Sequence, residues 1–543
     1  MKNIRVLDCT LRDGGYCNDC HFGFHNQQYL VNSLLEAGVD IVECGFLTRR
    51  SPYQEDYTRF NTPQQAARIL PENRRGKLFV ALLDYGSFPV EELPPWDGTT
   101  LDGIRLTFHK KDRVPALETA RQIQEKGYRV FLQPMVALSY TDGEFLDLIQ
   151  QANRLSPYAF YLVDSFGTMK RKEMLRLFFL MEHNLEDHIH IGFHCHNNLQ
   201  LAFANAQTLV DLPTQRSLLV DCSLWGMGRG AGNVNTELFL EYLNENAGGA
   251  YRVRPLLRAM DRVLQPFYQK KPWGYSLPNY LSARYGVHPN YALFLAEKNT
   301  LTVEDMDCIF QAMDPEKRES FDRAYGEQLY LRYMQRDSSG DSLEELRRAF
   351  AGKTVLVIAP GRSAGEGREA ILSFARREGV VTVSVNFKYP YLATGYIFLS
   401  NLRRRWEMHK SPKSQLIVTS NIPAGEEAYR VDYGSLLNDQ EPVRDNAGLM
   451  LLRLLLQLDV KEIWLAGMDG YSPDARDNYA QEELELPHSR EALEAMNRGM
   501  NQVLAAYAQQ VPLHFLTKPR HVHAAPTPDL PFLPEAFLQG TAP

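Results

Sequence analysis

Long apolar runs are missing from this 543-residue chain. No uncharged apolar stretch approaches the roughly 18 residues that a membrane-crossing helix needs. The best candidate, GLMLLRLLLQLDV, is cut by Arg453 and reads as a buried helix. The start, MKNIRVLDCT, lacks an apolar h-region, so no secretory signal is expected. Cysteine is sparse and odd in number: the seven are Cys9, Cys17, Cys20, Cys44, Cys195, Cys222 and Cys308. Such a scattered set argues against a disulfide framework and for reduced thiols in a cytoplasm. Strong charge is missing too. A net charge of -7 gives no reason to expect nucleic acid or an anionic membrane as partner. There is no internal repeat and no low-complexity segment. What remains is bulk, 44% apolar and 23% charged residues, enough for sizeable cores in about two to four domains.

The first half carries eight β-rich runs separated by helical stretches. They are Ile4–Thr10, Val39–Phe46, Lys77–Asp84, Asp102–Phe108, Tyr128–Met135, Tyr158–Ser165, Ile189–His196 and Ser217–Leu224. Eight β–α units in about 240 residues predict a (β/α)8 barrel, with a doubly wound open sheet as the competitor. Polar residues collect at the carboxyl ends of these runs, where a barrel keeps its chemistry: Asp8, Arg12, Asp13, Glu43, Gln133, Asp164, His194, His196 and Asp221. Glu43, Gln133 and Asp164 are therefore candidate substrate contacts. The domains expected are a barrel over 1–245, a helical extension over 246–341 and a Rossmann-like α/β domain over 346–543. The extension has helices around an aromatic- and Pro-rich loop, KKPWGYSLPNYLSARYGVHPNY, and a linker at 336–342. The tail after Pro519 is Pro-rich and expected to be irregular.

His194-Cys195-His196 is the sharpest local signal. Residues two apart on a strand point to one side, so both imidazoles can grip one cation at the strand's open end. Asp13, at the mouth of the first strand, can supply a third ligand, because only the eighth strand separates the first from the seventh in a closed barrel. Two His and one carboxylate with open positions suit an octahedral divalent ion, Mn2+ first, with Mg2+ or Co2+ as alternatives. Cys17-x-x-Cys20-His21 matches a haem-attachment or half-zinc pattern, but no second pair follows, and the thiols read as ordinary.

LDCTLRDGG, GFHCHNNLQLAFANA and GMGRGAGNVNTE, in that order, resemble the signatures of the metal-dependent aldolase and lyase superfamily. That superfamily includes 3-hydroxy-3-methylglutaryl-CoA lyase, isopropylmalate synthase and 4-hydroxy-2-oxovalerate aldolase. The resemblance covers roughly residues 1–245 and implies a (β/α)8 barrel. It implies Asp13, His194 and His196 as metal ligands, Asn233 on or beside the metal, and Arg12 as the group that stabilises an enolate. The absence of a carboxylate after Gly14 sets the chain apart from the condensing enzymes and makes it most similar to the hydroxy-oxovalerate aldolase branch. Where members of that branch carry a proton-transferring histidine, this chain has Tyr16, so Tyr16 or the nearby His21 is expected to act as acid/base. Gly230 and Gly232 let their loop bend over the site and offer N–H groups to a substrate anion. Its G-x-G-x-x-A spacing is a weak dinucleotide fingerprint with no first βαβ unit around it.

The expected function is thus a carbon–carbon lyase of aldolase type. It forms or cleaves a bond through the enolate of a 2-oxo acid, with a small aldehyde, sugar-derived for instance, as partner. Association into a homo-oligomer is compatible with the sequence. One competing reading is acyl-CoA/2-oxo acid Claisen condensation. The other is a nucleotide-sugar-binding or transferase role carried by the second half. There, Gly361, Ser363 and Gly365 form a glycine turn between strand and helix. It reads as a phosphate-holding loop, or as the G-x-S-x-G nucleophile elbow with Asp469 and His514 following in order. SVNF, FLSN and VTSN put Ser or Asn at successive strand ends, which suits a polar ligand.

Overall fold

A computed structural model describes residues 3–335, 342–408, 413–423, 428–474, 477–479 and 490–522. The linker expected at 336–342, apart from Ser342, and the tail beyond Val522 lie outside the described residues. The chain divides into two compact units. The first holds residues 1–293 and 310–321, the second residues 294–309 and 322–543.

The first unit is built on eight parallel strands: β1 (Ile4–Asp8), β2 (Ile41–Leu47), β3 (Leu78–Asp84), β4 (Gly103–Phe108), β5 (Arg129–Pro134), β6 (Ala159–Asp164), β7 (His190–Cys195) and β8 (Leu218–Ser223). They pair in chain order, and β8 closes on β1 with Leu218 opposite Ile4. This is the (β/α)8 barrel that the eight runs predict, each run giving one strand. The strands are β-branched and aromatic because both faces are covered. Period-two alternation sends Leu7, Ile41, Val80, Phe131, Tyr161 and Leu219 into the barrel. It sends Val6, Val42, Phe79, Ile104 and Phe160 outward against helices such as α1 (Phe24–Ala37), α2 (Arg113–Glu125) and α3 (Asp142–Leu155). A capping box starts α3: Thr141 accepts from the Glu144 N–H, and the Glu144 carboxylate accepts from the Thr141 N–H.

The aromatic- and Pro-rich stretch expected as a loop is partly helical. Leu277–Arg284 forms a helix capped by Ser276, whose hydroxyl accepts from the Asn279 N–H, and Pro289 opens another. Pro278 and Pro289 were the loop signals, yet proline is tolerated in a helix's first turn, where its missing N–H has no partner to lose.

The second unit has a seven-stranded parallel sheet: β9 (Thr354–Ile358), β10 (Val380–Val385), β11 (Tyr396–Leu399), β12 (Gln415–Thr419), β13 (Tyr429–Val431), β14 (Glu462–Ala466) and β15 (Leu513–Phe515). Their spatial order is β13-β12-β11-β10-β9-β14-β15. This is a Rossmann-like open sheet. The edge strand β13 was not legible, because three residues, YRV, carry no periodicity.

Candidate active site

Asp13 sits one tight turn beyond β1. The Arg12 and Asp13 N–H groups both donate to the Cys9 carbonyl, at 3.1 and 2.8 Å, which curls the chain back over the barrel mouth. His194 and His196 stand at and just past the end of β7, with ring centroids 5.2 Å apart and planes nearly perpendicular. Cys195 between them turns outward into the helix layer. Ligand atoms of Asp13, His194 and His196 all lie within 4.8 Å of one another, and all three residues are buried. Among the described residues this is the one group of His, Cys and acidic side chains with metal-holding geometry.

The surroundings prepare these groups as ligands. His194 Nδ1 bonds Asp221 Oδ2 at 2.9 Å, and His196 Nδ1 faces the Gly232 carbonyl at 3.3 Å. An Nδ1–H donated to an oxygen leaves Nε2 as the lone-pair nitrogen, the usual arrangement behind metal-bound imidazoles. Burial lowers the His196 pKa to about 3, against the opposing pull of Asp13, so the ring is neutral at ordinary pH. Burial alone would raise the Asp13 pKa, but Arg12, His196, His194 and Arg229 outweigh it and hold the carboxyl well below the usual carboxylate range. Asn233 donates from Nδ2 to Asp13 Oδ2 at 2.6 Å, and its buried Oδ1 has no partner among the described residues. Two imidazoles, an ionised carboxylate and an orphaned amide oxygen fit an oxygen- and nitrogen-preferring divalent ion.

Arg12 is 5% exposed and donates from Nη1 to Asp13 Oδ1 at 2.6 Å and from Nε to Glu43 Oε2 at 2.8 Å. Glu43 is a fully buried link, and the same oxygen is ion-paired with Arg105 Nη1 at 2.7 Å. Arg105 also pairs with Asp221, which holds His194. A buried relay thus runs Arg12–Glu43–Arg105–Asp221–His194 beneath the site. Gln133, with its amide oxygen turned toward Arg105, accepts from Nε at 2.8 Å and lines the cavity beside Arg12 and the two histidines.

That inner cavity, about 50 Å3, adjoins an outer one of about 290 Å3. They share Tyr16, Asp84, Thr107, Met135, Ser165 and Arg229. Tyr16 is 47% exposed, and the Arg229 guanidinium lies 5.6 Å from its ring centre. Desolvation raises its pKa, opposed by Arg229 and Arg12. His21 is elsewhere: it is exposed, bridges to Tyr57 and lines neither cavity. Asp164 spends its oxygens on the N–H groups of Thr168 (2.9 Å) and Met169 (3.0 Å), shaping the loop after β6. Gly232 uses its N–H on the Arg229 carbonyl and its own carbonyl on His196, so it orients a histidine, and Gly230 packs on the Asn198 amide.

Three contributors escaped the sequence reading. Arg105 announced itself as the lone charge inside an otherwise apolar strand. Arg229 lay within the glycine-rich motif. His288 comes from the helical segment and lines the outer cavity. Its Nδ1 accepts from the Asn290 N–H at 3.2 Å, leaving Nε2–H as donor, and burial lowers its pKa to about 3. In the second unit, Ser363 donates its hydroxyl to Asp469 and contacts the Thr517 hydroxyl, while His514 faces Glu462 at 3.6 Å. Among the described residues no Ser–His pair forms there, which gives the nucleophile-elbow reading no support. Gly361 lines a cavity of that unit, and Ser363 and Gly365 do not.

Comparison with known proteins agrees with the barrel's chemistry. Residues 108–254 match the HMGL-like family. The 4-hydroxy-2-oxovalerate aldolase of Geobacillus genomosp. 3 is 28% identical over 246 residues, 44% of this chain and 70% of that protein. The enzyme of the same name from Pelotomaculum thermopropionicum is 28% identical over 278 residues, 50% and 78% of the two chains. The solved HMG-CoA lyase of Brucella melitensis resembles 50% of this chain over 100% of its own, at 16% identity and a TM-score of 0.39. The barrel that carries Asp13, His194 and His196 is similar to the HMGL-like family and to 4-hydroxy-2-oxovalerate aldolases.

Proposed function

We propose that the barrel is a divalent-metal-dependent aldolase that makes or breaks a carbon–carbon bond through the enolate of a 2-oxo acid. The observation that carries this reading is the buried Asp13/His194/His196 cluster with the unpartnered Asn233 oxygen, set beside Arg12 at the carboxyl end of a barrel. A cation held there would supply Lewis-acid polarisation of the carbonyl of the 2-oxo acid. The resemblance to hydroxy-oxovalerate aldolases supports pyruvate as the enolised partner.

Arg12 supplies the fixed positive charge for the enolate. Its guanidinium is already held by Asp13 and Glu43, so no reorganisation is needed as charge develops. Tyr16 moves the proton. In condensation its phenolate takes a methyl proton from the 2-oxo acid and then gives it to the nascent alkoxide; in cleavage the same oxygen carries the hydroxyl proton back to the enolate carbon, helped by Arg229 and Arg12, which oppose the rise of its pKa. The outer cavity receives the aldehyde. Arg50, Asp84, His109, His288 and Glu319 line it, which favours a hydroxylated acceptor such as a sugar aldehyde over an aliphatic one.

Exchange of pyruvate methyl protons for deuterium, followed by NMR with and without Mn2+, tests the enolisation directly. Exchange should require a divalent metal. No exchange with Mn2+, Mg2+ or Co2+ would overturn the reading.

A further inference from the structure

A crevice above the carboxyl edge of the second sheet takes no part in the barrel's chemistry. β9 has β10 on one side and β14 on the other. From β9 the chain builds outward to β13 before returning to place β14. The chain leaves β9 toward β10 and leaves β14 toward β15, opposite directions in the sheet, and an open α/β sheet takes its ligand at such a switch point. A cavity of about 190 Å3 lies there, lined from the second unit alone, by Gly361 after β9 and Gly467 and Met468 after β14 among others. Both loops are squeezed together: a Cβ on Gly361 would meet the Gly467 carbonyl at 2.1 Å.

The lining offers donors in excess. Asn386 (φ +56), just past β10, accepts on Oδ1 from the N–H groups of Ser400 (3.0 Å) and Asn401 (3.4 Å). Its oxygen is thereby fixed inward, and its amide nitrogen has no protein partner among the described residues. Ser400, only 5% exposed, lines the cavity, and its hydroxyl likewise has no protein partner there. Both donors belong to residues that line the cavity and have no protein partner there, so they are free to meet an acceptor-rich occupant. Two cationic side chains join them: Arg404, and Lys298, which pairs with Glu327 at 2.6 Å. The helix Ala447–Gln457 starts in the wall at Ala447 and Gly448. The acids present are already engaged. Asp469 accepts from the Ser363 N–H (2.7 Å) and hydroxyl, and Asp445 Oδ2 accepts from the hydroxyls of Tyr330 and Tyr433.

We propose that this crevice binds a phosphorylated polar small molecule. Its phosphoryl oxygens meet Arg404, Lys298 and the first N–H groups of the helix at Ala447, and its hydroxyls meet Asn386 and Ser400. The site is independent of the barrel's reaction. Ser363, which the glycine-turn motif singled out, braces Asp469 and is not itself a phosphate contact.

Isothermal titration of the full chain would use inorganic phosphate, ribose 5-phosphate and a nucleoside 5′-monophosphate, with ribose and the nucleoside as unphosphorylated counterparts. At least one phosphorylated probe should bind, and its counterpart should bind on the order of tenfold or more weakly. Arg404→Gln and Asn386→Asp should each weaken the phosphorylated probe by a similar factor, while pyruvate deuterium exchange stays at the wild-type rate. Thermal melts check that each variant folds, and either variant alone suffices. The proposal is overturned if no phosphorylated probe binds at millimolar concentration, if the unphosphorylated counterpart binds equally well, or if binding survives unchanged in a folded variant.

Discussion

Arg105 has no solvent contact, and its guanidinium lies between Glu43 and Asp221. Replacing it with Met leaves two carboxylates buried without their cation. Denaturant unfolding should report a loss of about 3–5 kcal/mol, the usual consequence of breaking a buried ion network from one side. Arg12→Ala acts differently, because Arg12 touches the cavity. Metal content should be retained and kcat should fall on the order of 10²–10³. Asp13→Ala should lose both metal and turnover. Tyr16→Phe should lower kcat by about 10²–10⁴ with little change in pyruvate binding. His21→Asn should be near wild type, since its ring packs on Tyr57 outside both cavities. Sequence alone left Tyr16 and His21 level, because closeness along the chain says nothing about which side of a turn each residue faces.

The glycine-rich loop after β8 works as an element. It brings the Arg229 N–H to 3.3 Å from Asp13, the Asn233 amide onto Asp13, and the Gly232 carbonyl to His196. Gly232 has φ +81, and a Cβ there would lie 1.8 Å from the Gly226 carbonyl. Gly232→Ala should therefore displace the loop, and titration of the purified variant should show metal affinity weakened by about 10–100-fold. The eight strands were readable because each is an apolar run closed by polar residues, and the metal ligands were readable because they sit at those closures. Arg105 was passed over because it stands mid-strand, where barrel logic expects filler. His288 could not be assigned, since its segment read as loop and nothing in the local pattern tied it to the barrel mouth. Asp164 and Glu43 were placed at the correct strand ends, but only the fold reveals that the Asp164 oxygens are taken by backbone N–H groups and Glu43 Oε2 by two arginines.

At the scale of the whole molecule, buried carboxyls give the fold a pH signature. Desolvation raises the Asp8 pKa from 3.8 to about 6, although Thr236 and Thr10 donate to it. Between these values the folded chain holds a proton that the unfolded chain has released, so this contribution is fully present below about pH 4 and is lost as pH rises through about 6. Asp8→Asn keeps an acceptor for Thr10, and the Thr236 hydroxyl can rotate to accept instead of donate. The stability of wild type minus variant should fall by on the order of 2–3 kcal/mol between pH 4 and 7, read from denaturant midpoints.

The central claim is that Asp13, His194 and His196 together hold the metal that lets Arg12 and its neighbours enolise a 2-oxo acid. One experiment addresses it most directly: pyruvate methyl deuterium exchange measured by NMR on metal-stripped protein, then after titration with Mn2+, in wild type and in His196→Ala. Exchange should be absent without metal, appear on stoichiometric addition to wild type, and fail to appear in the variant. Exchange that proceeds in stripped protein, or that survives in His196→Ala at the same metal concentration, would contradict the account.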